Sequence, residues 1–242
     1  GDCISAEERK QRAGVIITSV ICWMVLLLFI LLSYGIVLVI SVASFAISWL
    51  LSEYNMRKLQ AAGVTVSERQ FPEIHKVLQE ACEKYGVKNP PKAIVLESSA
   101  VNAFAIKFAR AKAIVLHSET IEGALDNPAE LRQHIGHELA HCILDHGSRR
   151  HFEIYKSPAF KIARELTCDN CGTAFANDLD STKNALKKLA VGNKLAGKLN
   201  DESLLEEGNY LYSGISGWLL KKNLTHPPVG KRIQNATEFF NS

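Results

Sequence analysis

His137, Glu138 and His141 fall in the pattern H-E-x-x-H inside the helix-forming run from Leu131 to Leu144. Residues four apart share a helix face, so the two imidazoles can meet one metal ion, and zinc is the ion such a pair implies. Glu138, beside the first imidazole, can take a proton from a water that the metal activates. Together these residues point to hydrolysis. A pattern with three fixed positions also arises by chance, so the rest of the chain has to supply a third ligand that leaves one coordination position open.

Several downstream residues could be that ligand: His146, His151, Glu165, Asp169 and the pair Cys168 and Cys171. His146 lies five residues past His141 and turns off the ligand face of a continuing helix. Glu165 and Asp169 are four apart, so one could bind the metal while the other hydrogen-bonds a ligating imidazole, although the same spacing also suits a solvated acidic face. Cys168-x-x-Cys171 is the rival, but a four-ligand His/Cys site would be closed to water and would leave Glu138 without a task. The two cysteines read more simply as small core residues.

Elements that could position these residues follow from caps and breakers. Asp126-Asn127-Pro128 opens the helix that carries His137, and a second helix is expected over about Ser157 to Asp178. Ser67 to Tyr85 predicts a helix with Pro72 in its first turn and Ile74, Val77, Leu78 and Ala81 as an apolar stripe. Ala93 to Leu96 is a short strand candidate. Val101 to Phe108 and Ala113 to Leu116, around the turn Ala109 to Lys112, predict a β-hairpin whose edge could pair with an extended peptide. Ser181 to Leu199 is helical in pattern although Gly192 and Gly197 weaken it. Asn200 to Gly217 reads as a mobile loop or lid, and a terminal helix is expected from about Val229 to Phe240.

Ahead of all this, no residue from Gly14 to Leu51 is charged. As one straight helix that run would be about 57 Å long against a hydrocarbon core of about 30 Å, so two spans turning near Ser33-Tyr34-Gly35 fit better. A cleaved signal sequence has a shorter apolar core. Arg9, Lys10 and Arg12 precede the run, Arg57 and Lys58 follow it, and the turn carries no charge. The positive-inside tendency then keeps both ends, and the domain beyond, in the cytoplasm. The expected organisation is a cytoplasmic segment over 1–13, a transmembrane hairpin over 14–51 and a catalytic domain over 60–242. Gly1 to Ser5 fits a loose lipidation pattern, which a membrane hairpin makes redundant.

Bulk properties narrow the function. A length of 242 residues allows one sizeable domain with an appendage, and six scattered cysteines do not form the dense framework of a small secreted domain. A net charge of +3 with dispersed basic residues gives no reason to expect nucleic acid.

The chain resembles the HtpX-like membrane zinc metallopeptidases, gluzincins that share a catalytic core with the CAAX prenyl endopeptidases. The resemblance covers about Phe71 to Ile233. It rests on Phe71-Pro72-Glu73-Ile74, Asn102-Ala103-Phe104-Ala105, Ile135 to His141 with His146, Arg164 to Asp169, and Thr225-His226-Pro227-Pro228 with Arg232. It implies a mainly helical α+β gluzincin domain with a small sheet and one Zn2+ per chain, held by His137, His141 and Glu165. It implies Asp169 as the support of a ligating imidazole, and Asn102, Ala103 and Phe104 at the edge where substrate backbone docks. His226 and Arg232 would approach the metal, where they suit the charge that develops on the carbonyl oxygen. The membrane part is only an N-terminal hairpin, so the enclosed chamber of the prenyl proteases and a prenylated substrate are not implied.

The expected function is thus a membrane-anchored zinc metalloendopeptidase acting on protein or peptide substrates, in membrane-protein quality control or processing. Its partners would be the lipid bilayer and an extended substrate strand. The alternative is an inactive membrane-anchored binding or scaffold protein on a metallopeptidase fold.

Overall fold

A glycine reverses the apolar run. Gly35 has φ 89, a left-handed backbone that costs glycine little, and it separates helix α1 (Ala6–Leu32) from helix α2 (Ile36–Ala62). The computed structural model describes residues 6–33, 35–97, 113–144, 157–224 and 226–242. Within these, Gly14–Leu32 and Ile36–Ala62 are long and apolar enough to cross a membrane. Their side chains are largely unburied, with Trp23 69% and Val39 69% exposed, which suits an apolar surrounding rather than a protein core.

Both helices run past the apolar stretch into the domain. Before the first span, Glu8 is buried and accepts from Arg12, whose guanidinium also donates to the Leu144 carbonyl at 2.8 Å. After the second, Ser52, Met56 and Leu59 form a buried stripe at helical spacing, and Met56 and Leu59 pack on Ile94 and Leu96. The end of α2 is thus part of the domain's packing.

Strands β1 (Val64–Thr65), β2 (Lys92–Leu96) and β3 (Ala113–His117) form one sheet in that order. β1 runs antiparallel to β2, and β2 parallel to β3 with Ile94 opposite Val115. Of the expected hairpin, Ala113 to Leu116 is strand, while Val101 to Phe108 and the turn lie outside the described residues. Helix α3 (Pro72–Lys84) buries Ile74, Val77, Leu78 and Ala81 against Ile114 and Leu116 of the sheet and Leu131, Ile135 and Leu139 of a later helix.

After the short α4 (Ser118–Glu122), Asn127 caps α5 (Pro128–Ile143), accepting from the Ala129 N–H at 3.0 Å, with Pro128 at the first position where its missing N–H costs nothing. Ser157 caps α6 (Pro158–Ala176) in the same way. These two helices approach through glycines. A Cβ on Gly136 would lie 3.0 Å from Gly172 Cα, and one on Gly172 only 2.6 Å from the Gln133 carbonyl oxygen.

Helix α7 (Leu179–Val191) stops at Gly192, φ 79, before the single turn α8 (Asn193–Ala196), so the expected helix to Leu199 is broken there. The stretch expected to be a mobile loop is instead α9 (Asp201–Leu211) and α10 (Gly214–Lys221). Asn200 caps α9, Asp201 and Glu202 suit its positive end, and Gly208 is a contact rather than a hinge, with its Cβ position 3.2 Å from the Lys231 nitrogen. The last helix, α11 (Val229–Phe240), packs on α6, α7 and α9.

Gly172→Ala tests the glycine contact. A better helix former would gain about 1 kcal/mol, but its methyl meets a backbone carbonyl that cannot rotate away, at about 1 to 3 kcal/mol. We expect a lower melting temperature and reduced metal content; an unchanged or raised melting temperature would contradict the contact.

Candidate metal centre

Helix α5 presents His137 and His141 one turn apart, and α6 lies across it with Glu165 facing them. The two imidazole Nε2 atoms are 3.2 Å apart. Glu165 Oε2 is 3.7 Å from His137 Nε2, and Oε1 is 3.5 Å from His141 Nε2. These three residues form the group of donors able to hold a metal among the described residues. Four ligands around zinc at bonds of 2.0 to 2.1 Å lie about 3.3 Å from one another, so the observed separations are those of three corners of a tetrahedron.

The protonation pattern fits a cation as well. Asp169 Oδ1 is 2.9 Å from His137 Nδ1, and both Asp169 oxygens accept from Arg232, from Nε at 2.8 Å and Nη2 at 2.6 Å. A carboxylate held by a guanidinium is ionised and can only accept, so Nδ1 of His137 carries a proton and Nε2 is the ring nitrogen that faces His141 and Glu165. Glu165 Oε2 is in turn 2.9 Å from His226 Nδ1. Donor atoms converging at such distances need positive charge among them, and the set could hold a metal ion.

Burial alone would raise the carboxyl pKa of Asp169. The charge and hydrogen bonds of Arg232 and the bond to His137 outweigh it and hold the group well below the ordinary range. Burial likewise acts to raise Glu165, but the hydrogen bond from His226 and the facing imidazoles of His137 and His141 hold it at about 2. Glu138 differs: burial, with the neighbouring Glu165 charge adding to it, raises its pKa despite the opposing influence of His137, Arg232 and His226. Three carboxylates within one site are therefore tuned apart, two held ionised and one with a raised pKa.

A cleft of ≈ 480 Å3 opens beside these groups, lined by His137, Glu138, Glu165, His226 and Arg232 and walled by Val115 and Leu116 of β3 and Leu186 and Leu189 of α7. The α7 wall is tied to α5 by Lys188, which donates to Glu130 at 2.7 Å and to the Gly123 carbonyl at 2.6 Å, while Asn184 donates to Glu130 at 2.6 Å. No short pattern announces this buried network.

The structure brings together His137, Glu138, His141, Glu165, Asp169, His226 and Arg232 from four segments. The fork of Arg232, expected to face the reacting carbonyl, is taken by Asp169, because a carboxylate buried that deeply needs a cation. His226 is the more open of the two tail residues, with its side chain 63% exposed. Cys168 and Cys171 are buried, pack with Ala140 and are not part of the donor cluster. Asn102, Ala103, Phe104 and His146 lie outside the described residues. His134, which no motif singled out, also lines the cleft, and its position three residues before His137 was the signal available.

Residues 68–162 match the model of peptidase family M48. Over that stretch the chain is similar to the M48 peptidases. The resemblance read from the motifs is thereby borne out, for a mainly helical domain with a three-stranded sheet behind two apolar helices. Over 209 residues the chain is also 31% identical to the plastoglobule-localized metallopeptidase 48, chloroplastic, of Arabidopsis thaliana, an alignment covering 74% of this chain and 60% of that relative. No solved structure matches. The M48 match ends three residues before Glu165, so Glu165 as a candidate third ligand rests on the geometry above.

Arg232→Met removes the partner of a buried charge. We expect destabilisation of about 3 to 5 kcal/mol, read by thermal melting in detergent. Zinc affinity should fall by about 10- to 100-fold as His137 loses its orienting group, read by competition with a chromogenic chelator. Wild-type values for both would contradict the coupling.

Proposed function

We propose that this protein is a membrane-anchored, zinc-dependent metalloendopeptidase. The observation that carries the reading is the convergence of His137 Nε2, His141 Nε2 and the Glu165 carboxylate beside a cleft, with the raised-pKa carboxyl of Glu138 next to them. The M48 match supports the class of reaction.

His137, His141 and Glu165 would hold the zinc, which when bound supplies Lewis acidity to a peptide carbonyl and lowers the pKa of a water. Glu138 accepts a proton from the attacking water and delivers it to the leaving amine nitrogen, a round trip that suits a carboxyl with a raised pKa. Asp169 keeps His137 in the tautomer that turns Nε2 inward, and Arg232 keeps Asp169 ionised. Exposed on the cleft, His226 can donate to the oxygen on which negative charge develops. Asn102, Ala103 and Phe104, which lie inside the stretch that matches the family, are the proposed edge for substrate backbone, bound as an extended strand.

The two apolar helices would anchor the domain as a hairpin. Both of its ends pack on the domain, through Arg12 with Leu144 and through Met56 and Leu59 with β2, which supports a topology that returns the chain to one side. The basic residues flanking the hairpin support the cytoplasmic side for the catalytic domain. Membrane or membrane-associated proteins awaiting processing or removal are the substrates this placement favours.

Glu138→Gln should keep about one zinc per chain by metal analysis and lose proteolysis of an unfolded substrate such as casein by at least about 100-fold. Glu165→Ala should lose the zinc itself. Continued cleavage by the first variant, or full zinc in the second, would overturn the proposed roles.

A further inference from the structure

Helix α10 presents its apolar residues outward. Its single buried residue is Gly217, whose Cβ position lies 2.5 Å from the Tyr212 carbonyl carbon, so this side is pressed on the backbone that precedes it. Ile215, Trp218, Leu219 and Lys222 follow at the spacing that shares one helix face. They are exposed, Ile215 by 81%, Trp218 by 55% and Leu219 by 50%. The face ends in cations: Lys222 Nζ lies 3.3 Å from the centroid of the Trp218 ring, and Lys221 Nζ 4.3 Å from that of Tyr212. No acidic residue stands between Glu207 and Glu238 in the sequence.

We infer that α10 is a membrane-interface helix: Ile215, Trp218 and Leu219 enter the boundary between headgroups and acyl chains, and Lys221 and Lys222 meet lipid phosphates. The inference rests on the proposed membrane anchoring and adds a second contact with the bilayer, made by the domain itself. Size argues against a protein partner. Three side chains offer roughly 300 Å2, far below the about 800 Å2 that each partner of a stable protein complex covers. A small amphipathic face suffices, however, where the domain is already tethered at the bilayer. An indole with its N–H and an adjacent ammonium suit the wet rim of a bilayer, where the ring is covered and the charge reaches the headgroups. The bonds of the site place the end of α10 near that tether. Arg12, two residues before the apolar span that begins at Gly14, donates to the Leu144 carbonyl, one turn beyond His141. Glu165 lies opposite His141 and is bonded to His226, four residues after Lys222.

The full chain carrying Trp23→Phe and Trp49→Phe keeps Trp218 as its one tryptophan, and is reconstituted into vesicles of phosphatidylcholine and phosphatidylglycerol. Bromine on the lipid chains quenches an indole only at close range. Trp218 emission should fall by at least about half with lipids brominated near the headgroup, and by less with bromine deep in the chain, as a helix about 5 to 10 Å into the interface requires. Lys221→Gln with Lys222→Gln should bring the quenching in these anionic vesicles down to that in phosphatidylcholine alone, since each lysine near an anionic surface is worth about fivefold in binding. Ile215→Ser with Leu219→Ser should abolish the quenching and leave the melting temperature unchanged, because both side chains are exposed. Emission that brominated lipids leave unchanged, whether red-shifted in water or blue-shifted under a protein partner, would overturn the inference, even as flotation of the protein with the vesicles upheld the anchor. A protein that stays out of the vesicles once detergent is removed would instead sink the anchoring reading, and the inference with it.

Discussion

A carboxylate with no exposed surface persists as an anion only where cationic and hydrogen-bonding partners replace water, and Asp169 is such a group. Its partners are Arg232 of α11 and His137 of α5, while Asp169 itself belongs to α6. One buried side chain thus pins three helices from distant parts of the chain. The same contacts orient His137, so stability and the geometry of the candidate metal donors depend on a common set of bonds. Placing helix α11 is therefore part of building the candidate metal site.

The packing around this group follows the same requirement. Glycines at 136 and 172 let α5 and α6 approach until His137, His141 and Glu165 converge. At the other end of α5, Glu130 is buried against Lys188 and Asn184, which fixes the cleft wall relative to the metal ligands. Arg12, ahead of the first apolar span, donates to the carbonyl of Leu144 just beyond the same helix. Helix α5 is thus held at its start by the cleft wall, at its middle by the site and at its end by the segment that leads into the first apolar span.

Much of this was legible in the chain. The boundaries of α5 and α6 follow from Asn127-Pro128 and Ser157-Pro158, and the ligand pair from the helical repeat. Glu165 and Asp169 stood out by their spacing, and the resemblance gave them roles. What escaped were features decided by tertiary contact. Gly208 and Gly217 read as loop residues, yet each is small because another backbone segment lies against it, Lys231 in one case and Tyr212 in the other. The parallel pairing of β2 with β3 leaves no local signature, since the partner strand is not adjacent in sequence. Arg232 could be assigned to the site but not to Asp169, because only burial shows that the carboxylate needs it. His134 carried no motif, and its place in the cleft lining is visible only in the folded structure.

X-ray absorption at the zinc edge on the full-length protein tests the central claim most directly, because it separates the two ligand sets that the sequence left open. The account predicts one zinc with only nitrogen and oxygen neighbours at about 2.0 to 2.1 Å, including the outer-shell scattering of two imidazoles. A sulfur neighbour at about 2.3 Å would place Cys168 or Cys171 on the metal and contradict the site described here, as would a protein that binds no zinc.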